Sequence, residues 1–227
     1  MTNKDSQPKP ASKDVVVISP PNMISAHFTL DGASHLSVHH FSAKAQEAIK
    51  ETQVAGQQAR SKKVRPAKDF ADLFEAARYR AAEGWDGLNA SAFRNAMIAA
   101  CRLVGFKMTL AKLSIFIEAD GHDVVDGTPL VRIWSDAPPE QWIAPARNAN
   151  GSFDLRCRPR WAPYTWKIKL RVRFDGDQFS ITDVVNLLSR VGQQVGVGEG
   201  RPDSRVSPGL GYGLFIVEST AEAKNAA

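Results

Sequence analysis

The stretch Trp166–Phe174, WKIKLRVRF, constrains how the rest of the chain can be arranged. Apolar residues alternate with Lys or Arg at every second position along it. Neighbouring side chains of a β-strand point to opposite faces of the sheet. The pattern therefore predicts a strand with one buried face and a wholly cationic outer face. The cationic positions are Lys167, Lys169, Arg171 and Arg173.

The preceding run, residues 153–161 (FDLRCRPRW), repeats this alternation with three arginines. They are Arg156, Arg158 and Arg160. The intervening WAPYT (161–165) looks like a turn, so we expect the two runs to pair as antiparallel strands with up to seven cations on one sheet face. Like charges that face each other across a strand pair are destabilising. A phosphate backbone would offset the repulsion, whereas the alternative is a solvated face whose long side chains splay apart.

Charge along the whole chain is concentrated in this region. Residues 140–175 hold eight basic and three acidic residues, and this excess equals the net charge of +5 for all 227 residues. A basic protein favours a polyanionic partner. In a sheet covered by helices on its other side, we expect this face to present Lys and Arg rather than exposed Phe or Tyr. It would then contact phosphate, which positions a strand without reading its bases.

Glycines cluster in residues 191–215, VGQQVGVGEGRPDSRVSPGLGYGLF, which hold seven of the sixteen. The order helix–glycines–strand is the reverse of a dinucleotide-binding fingerprint, and no P-loop motif is present. Repeated glycine permits positive φ and close approach of another backbone, and successive N–H groups can form an anion-binding concavity. Arg201 and Arg205 would add charged hydrogen bonds to phosphate. The glycines predicted to contact nucleic acid are Gly196, Gly198, Gly200, Gly209 and Gly211. The alternative is a flexible surface loop of tight turns.

Two segments carry strong helical periodicity. In residues 88–105 an apolar stripe lies opposite Arg94. In residues 181–196 a second apolar stripe follows an N-cap at Ser180 or Thr182. The first stripe is Phe93, Met97, Ala100, Cys101 and Val104. The second is Val184, Leu187, Leu188, Val191 and Val195. We also expect weaker helices at 42–56 and 69–82.

Strands are predicted at 23–32, 112–120, 129–134 and 212–218, besides the two cationic runs. Without insertions at 32–88 and 120–152, the order is β–α–β–β–α–β. This order predicts an α+β, ferredoxin-like (RRM-like) core, an antiparallel sheet with two helices on one face. We expect a single domain over residues 15–218.

The remaining segments are polar or basic. Residues 1–14 and 219–227 are predicted disordered tails. Residues 57–68 contain five basic residues and no acidic one, which indicates a mobile basic loop. Its predicted nucleic-acid contacts are Lys62, Lys63 and Arg65.

Cysteine content and hydropathy indicate a cytoplasmic protein. Cys101 and Cys157 are the only cysteines, as expected of two reduced thiols. No segment reaches the roughly 20 apolar residues that a membrane-spanning helix needs.

Catalytic signals are weak. The motifs of serine hydrolases, zinc proteases and dithiol redox enzymes are absent. The stretch DGHDVVDG (120–127) clusters acidic side chains that could hold a divalent ion, although Asp-Gly pairs at both ends favour a polar hairpin loop. His39 and His40 are adjacent, so a strand would point them to opposite sides. No cofactor, metal, small-molecule substrate or catalytic residue is predicted.

Two stretches resemble a known family. Residues 196–217, GVGEGRPDSRVSPGLGYGLFIV, resemble the C-terminal glycine-rich loop of the RAMP superfamily, the ferredoxin-like RNA-binding proteins of CRISPR systems that include backbone subunits of effector complexes. Residues 88–102, LNASAFRNAMIAACR, are similar to the region that leads into the first helix of such proteins, with Asn89 and Ala90 in place of the usual Pro-Gly. The FRNAMI and GEGRPDS stretches also resemble an uncharacterised group of bacteriophage proteins.

The resemblance implies a nucleic-acid-binding module, often polymerised along a guide RNA, with the insertions as thumb and finger elements. We therefore expect a protein of a bacterial host cell's cytoplasm that binds single-stranded RNA or DNA mainly through phosphate and self-associates along it. One alternative is a phage structural or host-interaction protein that reuses the fold without nucleic acid. A second is a metal-dependent ribonuclease that uses the Asp120–Asp126 cluster.

Overall fold

The computed structural model describes most of the predicted core. It covers residues 18–40, 67–147, 151–204, 209–218 and 222–225, with the helical positions 47, 50, 53 and 54. Most of the predicted helix 42–56 and the tail 1–14 lie outside the described residues, as do the predicted contacts Lys62, Lys63, Arg65 and Arg205.

The described chain forms strands and helices in the following order. The strands are β1 (Met23–Gly32), β2 (Leu36–Ser37), β3 (Tyr79–Arg80), β4 (Asp86–Asn89), β5 (Ile115–Glu118), β6 (Gly121–His122), β7 (Pro129–Ser135), β8 (Glu140–Arg147), β9 (Phe153–Trp161), β10 (Trp166–Asp175), β11 (Phe215–Val217) and β12 (Glu222–Asn225). The α-helices are α1 (Phe70–Ala76), α2 (Ala90–Ala100), α3 (Met108–Ser114) and α4 (Ile181–Arg190). None of the helices in these ranges is long and apolar enough to cross a membrane.

The strands form two sheets. The larger has nine strands with the neighbour order β11–β1–β10–β7–β4–β3, and β5 pairs with β10 beside β7. Its central pair, β1 and β10, is antiparallel from Met23 opposite Asp175 to Asp31 opposite Lys167. The smaller sheet has the order β2–β9–β8. The protein is thus a mixed α/β structure built on antiparallel sheets.

The strand β10 has the two faces that its sequence predicts. Its apolar side chains are all buried and belong to the main core. They are Trp166, Ile168, Leu170, Val172 and Phe174. The helices α2 and α4 contribute to the same core, so they cover this face of the sheet and leave the cationic face open.

The two amphipathic helices form because each has a cap and a continuous apolar stripe. The Ser91 N–H donates to the Asn89 side chain at 2.8 Å at the start of α2, and Ser180 and Asp183 form a capping box on α4. The predicted stripe is buried throughout, in α4 and in the π-helical turn Val191–Val195 that continues it. In α2 the prediction for Val104 is wrong, because the helix tightens into a 3₁₀ turn at Cys101–Val104 and leaves Val104 half exposed.

The predicted pairing of the two cationic runs is wrong. The strand β9 pairs along its whole length with β8, from Glu140 opposite Arg160 to Arg147 opposite Phe153. After β9 the chain crosses to the other sheet, where the Tyr164 N–H donates to the Gly32 carbonyl at 2.8 Å. The seven predicted cations are therefore divided between two sheets, which reduces the repulsion that a single face would suffer.

Three further elements differ from their predictions. The helix predicted at 69–82 ends at Ala76, because the next residues pair as β3 with β4. The strand predicted at 112–120 begins only at Ile115, after the short helix α3. Residues 222–225, predicted to lie in a disordered tail, pair with β1 from Ile24 to His27, where they satisfy edge backbone groups that the short β11 does not reach.

Candidate nucleic-acid interface

The outer face of the large sheet carries the cations of β10. Lys167, Lys169 and Arg173 are exposed, and Arg171 is half-buried. Two of the four are neutralised by neighbouring acids. The ammonium of Lys167 lies 2.7 Å from Asp31 and 3.5 Å from Glu218, and Arg171 lies 3.4 Å from Asp120. The hydrogen bond with Asp31 raises the pKa of Lys167 above its ordinary value.

The other two cations of β10 lie over aromatic rings. Lys169 Nζ is 5.1 Å from the ring centre of Trp134, and the Arg173 guanidinium is 5.4 Å from that of Phe116. Neither forms an ion pair with a carboxylate in the ranges that the structure describes. Their positive charge is therefore available to an external anion.

The face also carries an exposed aromatic ring, a tryptophan, which was not predicted there from the sequence. Trp134, at an outward position of β7, is 40% exposed, and the Arg132 guanidinium lies 3.8 Å from its ring centre. The Arg132 guanidinium also lies 5.9 Å from the ring centre of Trp85. The alternation of PLVRIW, in which Arg and Trp occupy every second position, is the sequence signal that could have found them.

Arg94, a predicted contact on α2, reaches the edge of this face. Its guanidinium donates to the carbonyl of Ile115 at 2.9 Å and to that of Lys112. It also lies 5.2 Å from the ring centre of Phe116. Arg94 therefore holds α2 against β5 and helps to orient the ring that Arg173 contacts.

The arginines of β9 form a second cluster on the small sheet. Arg158 is buried, 3.7 Å from Glu199 and 5.8 Å from the ring centre of Trp142. Burial, with a contribution from Arg156, lowers the pKa of Arg158 from its ordinary value. Arg160 bonds Glu140 at 2.6 Å and the Tyr212 hydroxyl at 3.1 Å. These contacts join the small sheet to the glycine segment.

The glycine segment is folded tightly against its own chain. All five glycines predicted as contacts have φ between +72° and +74°. An added Cβ would meet the Ser37 carbonyl oxygen at 2.5 Å from Gly198 and the Arg201 carbonyl oxygen at 2.2 Å from Gly209. At Gly211, by contrast, it would meet no atom of the described residues within 4 Å. The glycines thus permit close approach of this protein's own backbone, and among the described residues Gly211 is the predicted contact with open surroundings.

A polar groove of about 580 Å³ separates the glycine segment from α2. Gly198 and Arg201 line it on one side, and Asn95 and Arg102 on the other. Arg102 pairs with Asp203 at 2.8 Å, while Arg201 donates to the Gly198 carbonyl at 2.9 Å. The Arg201 contact shown by the structure is therefore within its own loop.

The acidic stretch 120–127 forms a hairpin loop, as its Asp-Gly pairs predict, and Asp123 and Asp126 remain close together in it. Asp120 accepts from the Arg132 N–H at 2.9 Å, and His122 is exposed. His40, from a distant part of the chain, joins the loop instead, 3.2 Å from Asp126 and 3.5 Å from Asp123. These three residues have ligand atoms within 4.8 Å of one another. The cluster predicted for a metal-dependent ribonuclease thus keeps Asp123 and Asp126 and gains His40, whereas Asp120 and His122 are not part of it.

Acidic pH should destabilise this loop, because it protonates Asp126. Hydrogen bonds from Thr128, with a contribution from His40, lower the pKa of Asp126 below its ordinary 3.8. Its stabilising effect is then complete above that value and is lost as the pH falls through the lower pKa of the folded state. We expect Asp126→Asn to be less stable than the wild type near neutral pH, with a difference that shrinks in acid. Urea unfolding over a pH series measures it, and a pH-independent difference would contradict this assignment.

Comparison with known proteins gives similarity of fold alone. No family model and no curated protein matches the sequence. The structure is similar to a chain in the cryo-EM structure of the type III-B Cmr-beta bound to cognate target RNA, with a TM-score of 0.53 and 9% sequence identity. The match covers 91% of this chain and 62% of that one, so this protein spans less than two thirds of its neighbour's length. The two chains therefore share a fold over most of this protein's length.

Proposed function

We propose that this protein binds single-stranded nucleic acid along the outer face of the large sheet, mainly through phosphate, and that copies assemble along the strand. One observation carries the proposal: every outward side chain of β10 from position 167 to 173 is cationic, on a sheet face that the helices leave open. Alternate residues of a strand lie about 7 Å apart. This spacing is comparable to that of successive phosphates in an extended single strand.

The arrangement of the core supports the same proposal. The neighbour order β11–β1–β10–β5 is antiparallel throughout, and α2 and α4 share one face. These are the features of a ferredoxin-like β–α–β–β–α–β core, and we infer that topology here. The structural neighbour was solved with target RNA, which favours RNA as the ligand. The β9 arginines and the glycine segment remain predicted contacts of a second surface.

Removing the two cations that lie over aromatic rings, Lys169 and Arg173, should weaken binding of nucleic acid. We expect Lys169→Gln with Arg173→Gln to lower affinity for single-stranded RNA by roughly tenfold to thirtyfold at physiological salt, and to reduce the slope of log K against log salt by about two units or slightly less. Fluorescence anisotropy with matched single- and double-stranded RNA and DNA measures both quantities.

The matched control is Lys107→Gln with Arg190→Gln, which removes the same charge from exposed positions on the helical side. Its salt slope should equal that of the wild type. Equal losses in both double variants would mean that only net charge matters, and absence of salt-dependent binding by the wild type would overturn the proposal. Sedimentation with strands of increasing length tests assembly, because the number of bound copies should rise with length.

A further inference from the structure

We propose that Trp134 is a stacking platform for a nucleobase and that Arg132 stacks on its ring and holds it in place. This proposal rests on the proposed function. The indole occupies an outward position of β7, and the preceding inward positions, Val131 and Ile133, are buried. A large ring that is 40% exposed on a sheet face contributes little to the core. Aromatic rings in such positions bind single strands by stacking, without regard to sequence, because every base has a flat face.

Cations fix the orientation of the ring from one side. The Arg132 guanidinium lies 3.8 Å from the ring centre, which is the distance of direct stacking, and Lys169 lies 5.1 Å from it. Nε of Arg132 is buried and has no hydrogen-bond partner in the described part of the chain. The aromatic contacts with Trp134 and Trp85 are therefore the main constraint on this guanidinium.

The strand register leaves the other side of the ring accessible. Lys167 lies directly opposite Trp134, so Lys169 lies towards the start of β7, on the same side as Arg132. Beyond Trp134 in the other direction β7 ends at Ser135, which is exposed. A flat ligand can therefore approach the indole from the end of the strand while the cations contact its phosphates.

A second ring marks the other end of the cationic strand. Phe116 of β5 lies opposite Arg173, whereas Trp134 lies opposite Lys167, six residues away. At the rise of a β-strand this separation is about 20 Å. A strand that follows β10 would meet a ring, the row of cations and a second ring. This order suits single-stranded nucleic acid better than a protein partner, which would require apolar surface between the rings.

The test is a thermodynamic cycle with two proteins and two probes. The wild type and Trp134→Ala are each titrated with oligo-U RNA of about 20 nucleotides, longer than usual single-strand sites, and with a phosphate polymer of equal length that lacks bases. We expect the wild type to prefer oligo-U by about tenfold, and Trp134→Ala to lose this preference while it binds the baseless polymer as the wild type does. Trp134→Phe should retain most of the preference.

Phe153→Ala is the matched control, because Phe153 is an exposed ring on the small sheet; its binding should not change. Melting temperatures verify that each variant is folded. If Trp134→Ala weakens binding of both polymers equally, or of neither, the stacking assignment is overturned and the proposed function survives. If the wild type binds neither polymer, both proposals fail together.

Discussion

Replacing Gly213 with alanine is expected to destabilise the protein by about 3 kcal/mol or more. Gly213 has a φ of +68°, and an added Cβ would lie 1.8 Å from the carbonyl oxygen of Val197 and 2.7 Å from that residue's backbone carbon and nitrogen. The Val197 N–H also donates to the Gly213 carbonyl at 3.1 Å. Because the obstructing atoms belong to the backbone, they cannot move aside as a flexible side chain can. The segments around Gly213 and Val197 must therefore move apart.

Gly211→Ala is the matched control, two residues away. Its φ of +72° is equally unfavourable for alanine, but within the described chain the added Cβ would meet nothing within 4 Å. It should therefore cost only the left-handed backbone penalty of about 1 kcal/mol. Urea unfolding followed by circular dichroism gives both values from the shift in midpoint at constant m. Similar losses of stability in Gly213→Ala and Gly211→Ala would mean that the contact between Val197 and Gly213 does not hold the segment. Stabilisation by Gly211→Ala would favour a flexible loop.

Asp123→Ala is expected to destabilise the protein by about 3 kcal/mol, because it orphans several donors at once. The Asp123 side chain is fully buried and accepts from the backbone N–H groups of Arg80 and Val125 at 2.9 Å each and of Asp126 at 3.3 Å. It also faces His40. Its oxygens therefore act as an internal cap that fixes the hairpin loop to β3.

The matched control is Asp120→Ala, in the same loop but exposed, which should cost about 1 kcal/mol or less. If backbone N–H donors rather than a bound cation hold Asp123, a chelator should not change the loss of stability that either variant causes. Differential scanning calorimetry with and without EDTA, and with added Mg²⁺ or Mn²⁺, measures this. A large loss of stability with EDTA in the wild type alone would instead assign a metal to His40, Asp123 and Asp126.

Sequence periodicity predicted the central elements of the fold because their burial is one-sided. The strand β10 and the helices α2 and α4 each present an apolar face to one core, and alternation or helical spacing records that directly. Periodicity does not identify a strand's partner. The strand β9 was assigned to β10 because a turn separates them, whereas β8, which has no strict alternation and contains Pro145, is its actual neighbour.

The candidate site was predictable only in part, for the same reason. The cations of β10 follow from composition and alternation alone. Trp134 and Phe116 become part of the site only when β7 and β5 pair with β10, and this pairing brings distant segments together. Likewise, no local pattern predicts that His40 approaches Asp123, since more than eighty residues separate them in the chain.

The pairing of β1 with two short strands has a consequence for self-recognition. The edge of β1 that faces away from β10 is covered by β11 near Leu30 and by the four residues of β12 near Ala26. Without β12, the first half of β1 would present a row of unpaired N–H and C=O groups, the template on which strands of separate molecules join. By pairing with β1, β12 thus protects the sheet against edge-to-edge aggregation. Release of β12 would expose an edge to which a second copy could pair.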